Sequence, residues 1–326
     1  QQLPDNFEGD YYVLVNIETP QDQTNSISFS NTPIITLKSL NKGQTELLDL
    51  NFTTKKERPS SSADGKIIAY EVTVSGIQNI YLQDQNSRGK ILVTGSALIE
   101  TTGSTYANAH SFRPKVSADG TNIVFHSQAS DLVKSDRNGM EDIYLYDVNS
   151  KAFSKIVVFQ GNEVIETNGG SFYPDINEDG SIVVFESDAT NLTPTFVNNG
   201  ARQIFTWEPQ NSVLELISQN NGTNGNGKSY SASISNDGNR IVFTSEATNL
   251  VAGETDSNGV SDIFLHEANT STITRINKNY LGFEATGGLS DQAKISGDGK
   301  TVVFRSLATN LVTGKGISNL SIETSG

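Results

Sequence analysis

Cysteine is absent from the 326 residues, which excludes disulfides, thiol nucleophiles and thiolate-bound metals. The chain has one Trp and three histidines, His110, His126 and His266. The histidines fall in non-equivalent places of the repeat described below, so a three-His metal centre is not expected. No HExxH, GxSxG or phosphate-binding loop occurs, and nothing in the carboxylate pattern selects a catalytic pair. Catalytic residues are therefore not assigned, and the reading leans away from an enzyme. Cations are also scarce: Lys and Arg number 23 against 37 Asp and Glu, a net charge of −14. A field of that sign repels phosphate backbones and anionic lipid, so nucleic acid is not an expected partner. No apolar run approaches the roughly 18–20 residues of a membrane span, so no membrane insertion is expected. Helical periodicity is missing too, since no stretch keeps a 3.6-residue apolar pattern over three turns.

Repetition is what the chain does have. Asp-Gly recurs at Asp64-Gly65, Asp119-Gly120, Asp179-Gly180, Asp237-Gly238 and Asp298-Gly299, at intervals of 55, 60, 58 and 61 residues. The preceding segments are RPSSSADG, RPKVSADG, YPDINEDG, SASISNDG and QAKISGDG. An apolar run follows each: KIIAYE, TNIVFHS, SIVVFES, NRIVFTS and KTVVFRS. Three units then carry SDATNL, SEATNL and SLATNL, and a fourth carries the variant SQASDL. Strand-like runs NIYLQD, DIYLYD, QIFTWE and DIFLHE come next, and a further short run closes each unit. Each unit therefore reads as four short β-strands separated by turns. Asp-Gly suits a tight hairpin because Gly accepts positive φ. Runs such as IVF and VVF are apolar at successive positions, as expected of strands buried on both faces.

Four antiparallel strands per unit, repeated at a fixed period, predict an all-β, six-bladed β-propeller of four-stranded antiparallel blades. Dividing 326 by the mean interval of 58.5 gives 5.6 units. Residues 1–9 read as an N-terminal arm, 10–57 as a closing strand and degenerate first blade, and 58–326 as five clear repeats. In the last repeat SNLSIE (318–323) aligns with SDIFLHE, and the chain then stops one strand short. The expectation is that DYYVLVNIE (10–18) supplies the missing outer strand, so that both chain ends close the ring. A seam left open could instead accept a strand from a neighbouring chain, giving self-assembly through terminal strands.

The frame Pro114-Lys115-Val116-Ser117-Ala118-Asp119-Gly120 resembles the TolB-type, WD40-like "PD40" propeller repeat, and the resemblance covers about residues 58–323. It implies the propeller fold and an extracytoplasmic (secreted, periplasmic or cell-surface) protein. A chain that begins with Gln fits a processed or trimmed N-terminus. The repeat is shared by proteins of many functions, so function must come from the site.

Up-and-down topology puts the Asp-Gly turns and the strand-three-to-four turns on one end of each unit, and both are minimal. Longer polar connections lie at the other end: 95–111, 159–171, 219–229, 247–261 and 277–290. This end is the expected binding surface for a protein or glycan. Residues identical among repeats are read as architectural. Equivalent positions that differ are ligand candidates: His126, Glu186 and Arg305 after the strand-two aromatic, in the slot also held by Glu71 and Thr244, and Lys115, Asp175 and Lys294 on the innermost strand, in the slot also held by Ser233. Two loops place oxygen ligands around a Gly turn: Asp136, Asn138 and Asp142, and Glu254, Asp256, Asn258 and Asp262. Hard oxygen donors at alternating positions suit Ca²⁺, although neither loop is an EF-hand. Asx turns, in which the side chain bonds its own backbone, are the competing reading. The segment Thr195–Gln203 lacks acids and should not bind. The expected function is a non-enzymatic exported scaffold that binds a partner or serves as a structural module. A carbohydrate-binding or carbohydrate-active propeller and a subunit of an extracellular polymer are the alternatives.

Overall fold

The computed structural model describes residues 56–95, 106–160, 163–193 and 200–311, apart from positions 88, 135, 255 and 280, together with the backbone of 12–16, 37–38 and 45–46. Every element in it is a β-strand. Contacts divide the chain into two compact units, 20–155 and 1–19 with 156–326. No helix among the described residues is long and apolar enough to cross a membrane.

Four repeats form complete four-stranded antiparallel sheets in sequential order. The first contains Lys56–Ser61, Ile67–Val74, Ile77–Asp84 and Gly89–Leu92. The second contains Ser111–Val116, Asn122–Ser127, Asp142–Asp147 and Phe153–Lys155. The third contains Ser171–Ile176, Val183–Ser187, Gln203–Glu208 and Val213–Leu216. The fourth contains Ser229–Ile234, Arg240–Ser245, Asp262–Glu267 and Thr272–Arg275. These are the blades of a β-propeller, as the repeat frame predicts.

The fifth repeat supplies Ser290–Ile295 and Thr301–Ser306, and Tyr12–Asn16 is added beside the latter. Val13 lies opposite Phe304 as Phe264 lies opposite Phe243. The N-terminal strand thus stands third in its sheet, at the edge of the three described strands. That is the place sequence alignment gave to 318–323, a segment outside the described residues. Of the expected degenerate first blade, the described part is the pair Leu37–Lys38 and Thr45–Glu46.

Packing follows from the two-faced strands. In the first unit Ala69, Ile80 and Leu82 of one sheet meet Val116, Ile123 and Phe125 of the next. In the other unit Ile241, Phe243 and Phe264 pack with Val184 and Ile204, while Val242, Ile263 and Leu265 turn the opposite way to Val302 and Phe304. Adjacent side chains of one strand therefore fill two different inter-sheet cores. Stacked aromatics join strands two and three in each complete sheet: Tyr70–Tyr81, Phe125–Tyr144, Phe185–Phe205 and Phe243–Phe264, with centroids 5.7–6.3 Å apart.

The turn chemistry is repeated atom for atom. Ser62, Ser117, Ser235 and Ser296 donate their hydroxyls to Asp64, Asp119, Asp237 and Asp298, and Asn177 donates its amide to Asp179. Each Asp accepts the N–H two residues on. The following Gly has φ of +71 to +78°. A side chain at Gly238 would also meet Ile182 of the preceding sheet. Backbone bonds then stitch neighbouring turns: Ala63 N–H to Ala118 O, Glu178 N–H to Asn236 O, and Asn236 N–H to Gly297 O.

Candidate functional site

The strand-one bulge recurs in all five repeats, at Arg58, Arg113, Tyr173, Ser231 and Gln292, each with φ between 45 and 56°. A bulge frees a backbone N–H from its ladder. Two residues of the variable strand-two slot receive that group. Glu71 accepts Arg113 N–H at 2.5 Å and pairs with Arg58 at 2.7 Å. Glu186 accepts Ser231 N–H at 2.8 Å and pairs with Arg202 at 3.2 Å. Both glutamates are buried. Burial raises the Glu186 carboxyl above its ordinary value, against the opposing pull of the Ser231 N–H and Arg202. In the same slot His126 Nδ1 lies 2.7 Å from Glu141, and Arg305 is paired through two bonds with Asp291.

The inner-strand slot behaves similarly. Asp175 accepts the Ser233 hydroxyl at 2.9 Å, from the next sheet. Lys294 is exposed and reaches back to Ala232 O at 3.4 Å, while Lys115 is half-buried opposite Val124. Five of the six ligand candidates, all but Lys115, therefore have a protein partner, and Glu186, Asp175 and Lys294 join adjacent sheets. Lys115, Asp175 and Lys294 lie on the first strands of their sheets, and His126, Glu186 and Arg305 on the second strands.

Within each of the two acidic loops the acids do come together, with a side-chain cation at the centre. In the second repeat Lys155 Nζ lies 3.2 Å from Asp136 and 3.0 Å from Asp142. All three side chains are under 5% exposed. Tyr144 donates its hydroxyl to the other oxygen of Asp136. In the fourth repeat Arg275 takes the equivalent place, 2.9 Å from Asp262, 3.8 Å from Asp256 and 3.5 Å from Glu254. Glu284, from the connection to the fifth repeat, adds a carboxylate 3.1 Å from Arg275. It also accepts Ser257 N–H and hydroxyl and Asn258 N–H, which hold it below the usual carboxylate range against the effect of burial. Lys278 pairs with Glu254 at 2.5 Å. Burial, with Asp262 close by, pushes Asp256 up to about 6.

Asn138 and Asn258 make the Asx turns. Each amide oxygen accepts the N–H two residues on, and each amide nitrogen donates to Asp142 or Asp262. Their oxygens are therefore already used by their own backbone. The residues that sequence reasoning passed over are Lys155, Arg275 and Glu284. A signal for the first two exists. Acid at the start of strand three accompanies a cation on strand four, as Asp142 with Lys155 and Asp262 with Arg275. The neutral repeats have Asn79 with Leu92 and Gln203 with Leu216.

The ATNL motif pins the long connections. Asn191 donates to Glu166 O and accepts Asn168 N–H, and Asn249 does the same with Asn224 and Asn226. Those connections carry most of the exposed apolar side chains. In the unit of 156–311 these are Phe159 and Val164, opposed on the hairpin Val158–Gln160 and Glu163–Ile165, then Leu281 and Phe283, at 52–65% exposure, with Leu307 exposed just after Thr301–Ser306. Tyr173 and Val213 are the others of that unit. In the unit of 20–155 the described example is Met140, again on a connection.

No family model and no curated protein matches the chain. Among solved structures it is similar to TolB from Acinetobacter baumannii at 19% identity and TM-score 0.43, over 82% of this chain and 58% of that one. This chain thus spans under two thirds of that protein's length. A protein from Agrobacterium tumefaciens designated as TolB gives 19% identity and TM-score 0.49, over 83% and 81%. The β-propeller domain of the Trilobed protease from Pyrococcus furiosus, described with an open velcro topology, gives 15% and 0.37, over 76% and 77%.

Proposed function

We propose that this propeller scaffold is a non-enzymatic, extracytoplasmic partner-binding module that uses the ends of its blades bearing the long connections. One observation carries the reading: within the 156–311 unit, four of the seven exposed large apolar residues, Phe159, Val164, Leu281 and Phe283, sit on those connections. The opposite end is closed by the Asp-Gly turns and their backbone stitches. Exposed apolar side chains on hydrogen-bonded, well-anchored loops are what a protein partner desolvates at low entropic cost. The extracytoplasmic setting rests on the repeat resemblance.

The test is affinity capture from the source organism's envelope fraction, with the wild type beside a Leu281→Ser, Phe283→Ser variant. A protein retained by the wild type and lost from the variant at unchanged melting temperature supports the reading. Equal recovery on both refutes it. Turnover of any polysaccharide by the purified chain would replace it with the carbohydrate-active alternative.

A second reading has an observation of its own. The fifth sheet takes its third strand from residues 12–16, nearly 290 positions away in sequence. A strand that joins its sheet from a distant part of the chain can be exchanged between copies. Light scattering at high concentration decides this, because a strict monomer argues against joining through terminal strands.

A further inference from the structure

The two acidic loops are built on the same frame but are not equally complete. In the second repeat the Tyr144 hydroxyl takes one oxygen of Asp136, and the other, which has no hydrogen bond of its own, lies 3.2 Å from the Lys155 ammonium. Two buried carboxylates there share one ammonium. In the fourth repeat Phe264 replaces Tyr144, so the hydroxyl that would reach Asp256 is missing. The Asp256 side chain is nonetheless 5% exposed, and its Oδ1 has no hydrogen-bond partner. Its nearest cation is 3.8 Å away, on the other oxygen. The charge is also unbalanced: Glu254, Asp256, Asp262 and Glu284 face only Arg275 and Lys278. One oxygen from each of Asp256, Asp262 and Glu284 falls within 4.8 Å of the others.

We propose that the fourth repeat binds a divalent cation of the calcium class through Asp256, Asp262 and Glu284, and that the loop of Asp136 and Asp142 binds none. The cation supplies a partner at Asp256 Oδ1, whose other oxygen has Arg275 no nearer than 3.8 Å, while Arg275 stays on Asp262 and Glu254. Carboxylate oxygens with water completing the shell are the donor set hard cations take. An isolated, buried carboxylate oxygen is costly, and a cation removes that cost. In the second-repeat loop the corresponding oxygen, Asp136 Oδ1, already has the Lys155 ammonium at 3.2 Å. Glu284 ties the site to the hairpin that presents Leu281 and Phe283, so the cation also fixes part of the connection surface. The site argument does not depend on partner binding.

The test is calorimetric titration of the chelator-treated chain with Ca²⁺ and Mn²⁺, beside thermal melts. The expected result is one cation per chain and a melting temperature raised by about 4 °C at a hundredfold excess over Kd. Asp256→Asn should abolish binding. Phe264→Tyr should weaken it at least tenfold while raising the melting temperature of the metal-free chain, because it installs the donor found in the second repeat. Asp136→Asn should leave binding unchanged. No heat and no melting shift in the wild type at 10 mM of either ion overturns the proposal, as does full binding by Asp256→Asn or loss of binding in Asp136→Asn.

Discussion

Removing the strand-four cation of the second repeat gives the most direct test of how these blades are held. Lys155→Leu puts at that position the residue that the third repeat has at Leu216. Shape is therefore not the problem, since Leu216 is itself buried. Charge is. Asp136 and Asp142 are 2% and 1% exposed, and the ammonium between them is their counter-ion. Stripping one member from a buried ion pair costs about 3–5 kcal/mol, because the remaining charge cannot be solvated. For a chain of 326 residues that is roughly 4–7 °C in melting temperature. The fully neutral set follows the third repeat at all three places: Asp136→Val, Asp142→Gln and Lys155→Leu, matching Val197, Gln203 and Leu216. Replacing a whole buried ion cluster by packed neutral residues is often neutral or stabilising. The triple variant should therefore recover most of the loss, giving a coupling energy of about 2–4 kcal/mol. Urea unfolding followed by circular dichroism, at constant m-value, measures each corner of the cycle. A Lys155→Leu cost under about 1 kcal/mol, the level of an exposed pair, would refute the reasoning. So would additive losses in the triple variant.

Other expectations follow from the same contacts. Glu186→Ala should cost about 1–3 kcal/mol, because the Ser231 N–H and Arg202 lose their acceptor in a buried site; urea midpoints check it, and an unchanged midpoint would return Glu186 to the ligand candidates. Leu281→Ser with Phe283→Ser should move stability by no more than about 0.5 kcal/mol, since both side chains are solvent-facing; a large drop would show that they pack. Acid should weaken the fold through the turn aspartates. Hydrogen bonds from Ser181 and Ser296 hold Asp179 and Asp298 below the usual carboxylate range. Their folded values lie below the unfolded one, so their contribution is complete above about pH 4 and is lost as pH falls through the folded values. Melting curves from pH 5 to 2 should show that fall, and Asp298→Asn should flatten part of it.

Much of the fold is legible because its chemistry is local. Ser-x-Asp-Gly closes on itself within five residues, through Asp119 to Thr121 and Ser117 to Asn122, and nothing distant is needed to recognise it. The two-faced strands are equally plain in runs such as Ile-Val-Phe. The candidate site was only half visible. Asp136 and Asp142 stand close in sequence and meet around one cation, as do Asp256 and Asp262 around another. Lys155 and Arg275 lie thirteen residues beyond the strand-three Asp, across a turn and a strand whose register had to be known first.

Sequence alone therefore determined the repeat frame, the strand and turn types, and which connections are long, since each depends on side chains acting on their own backbone. Tertiary structure decided the rest. It turned Glu71 and Glu186 into acceptors for a neighbouring sheet's bulge, joined Asp175 to Ser233 across 58 residues, and set residues 12–16 third beside Thr301–Ser306. It also placed Lys155 and Arg275 among the acids. The physical reason is shared by all of these. A buried charge or a freed N–H can take any complementary group that comes within reach, and which group that is depends on how one sheet lies against the next.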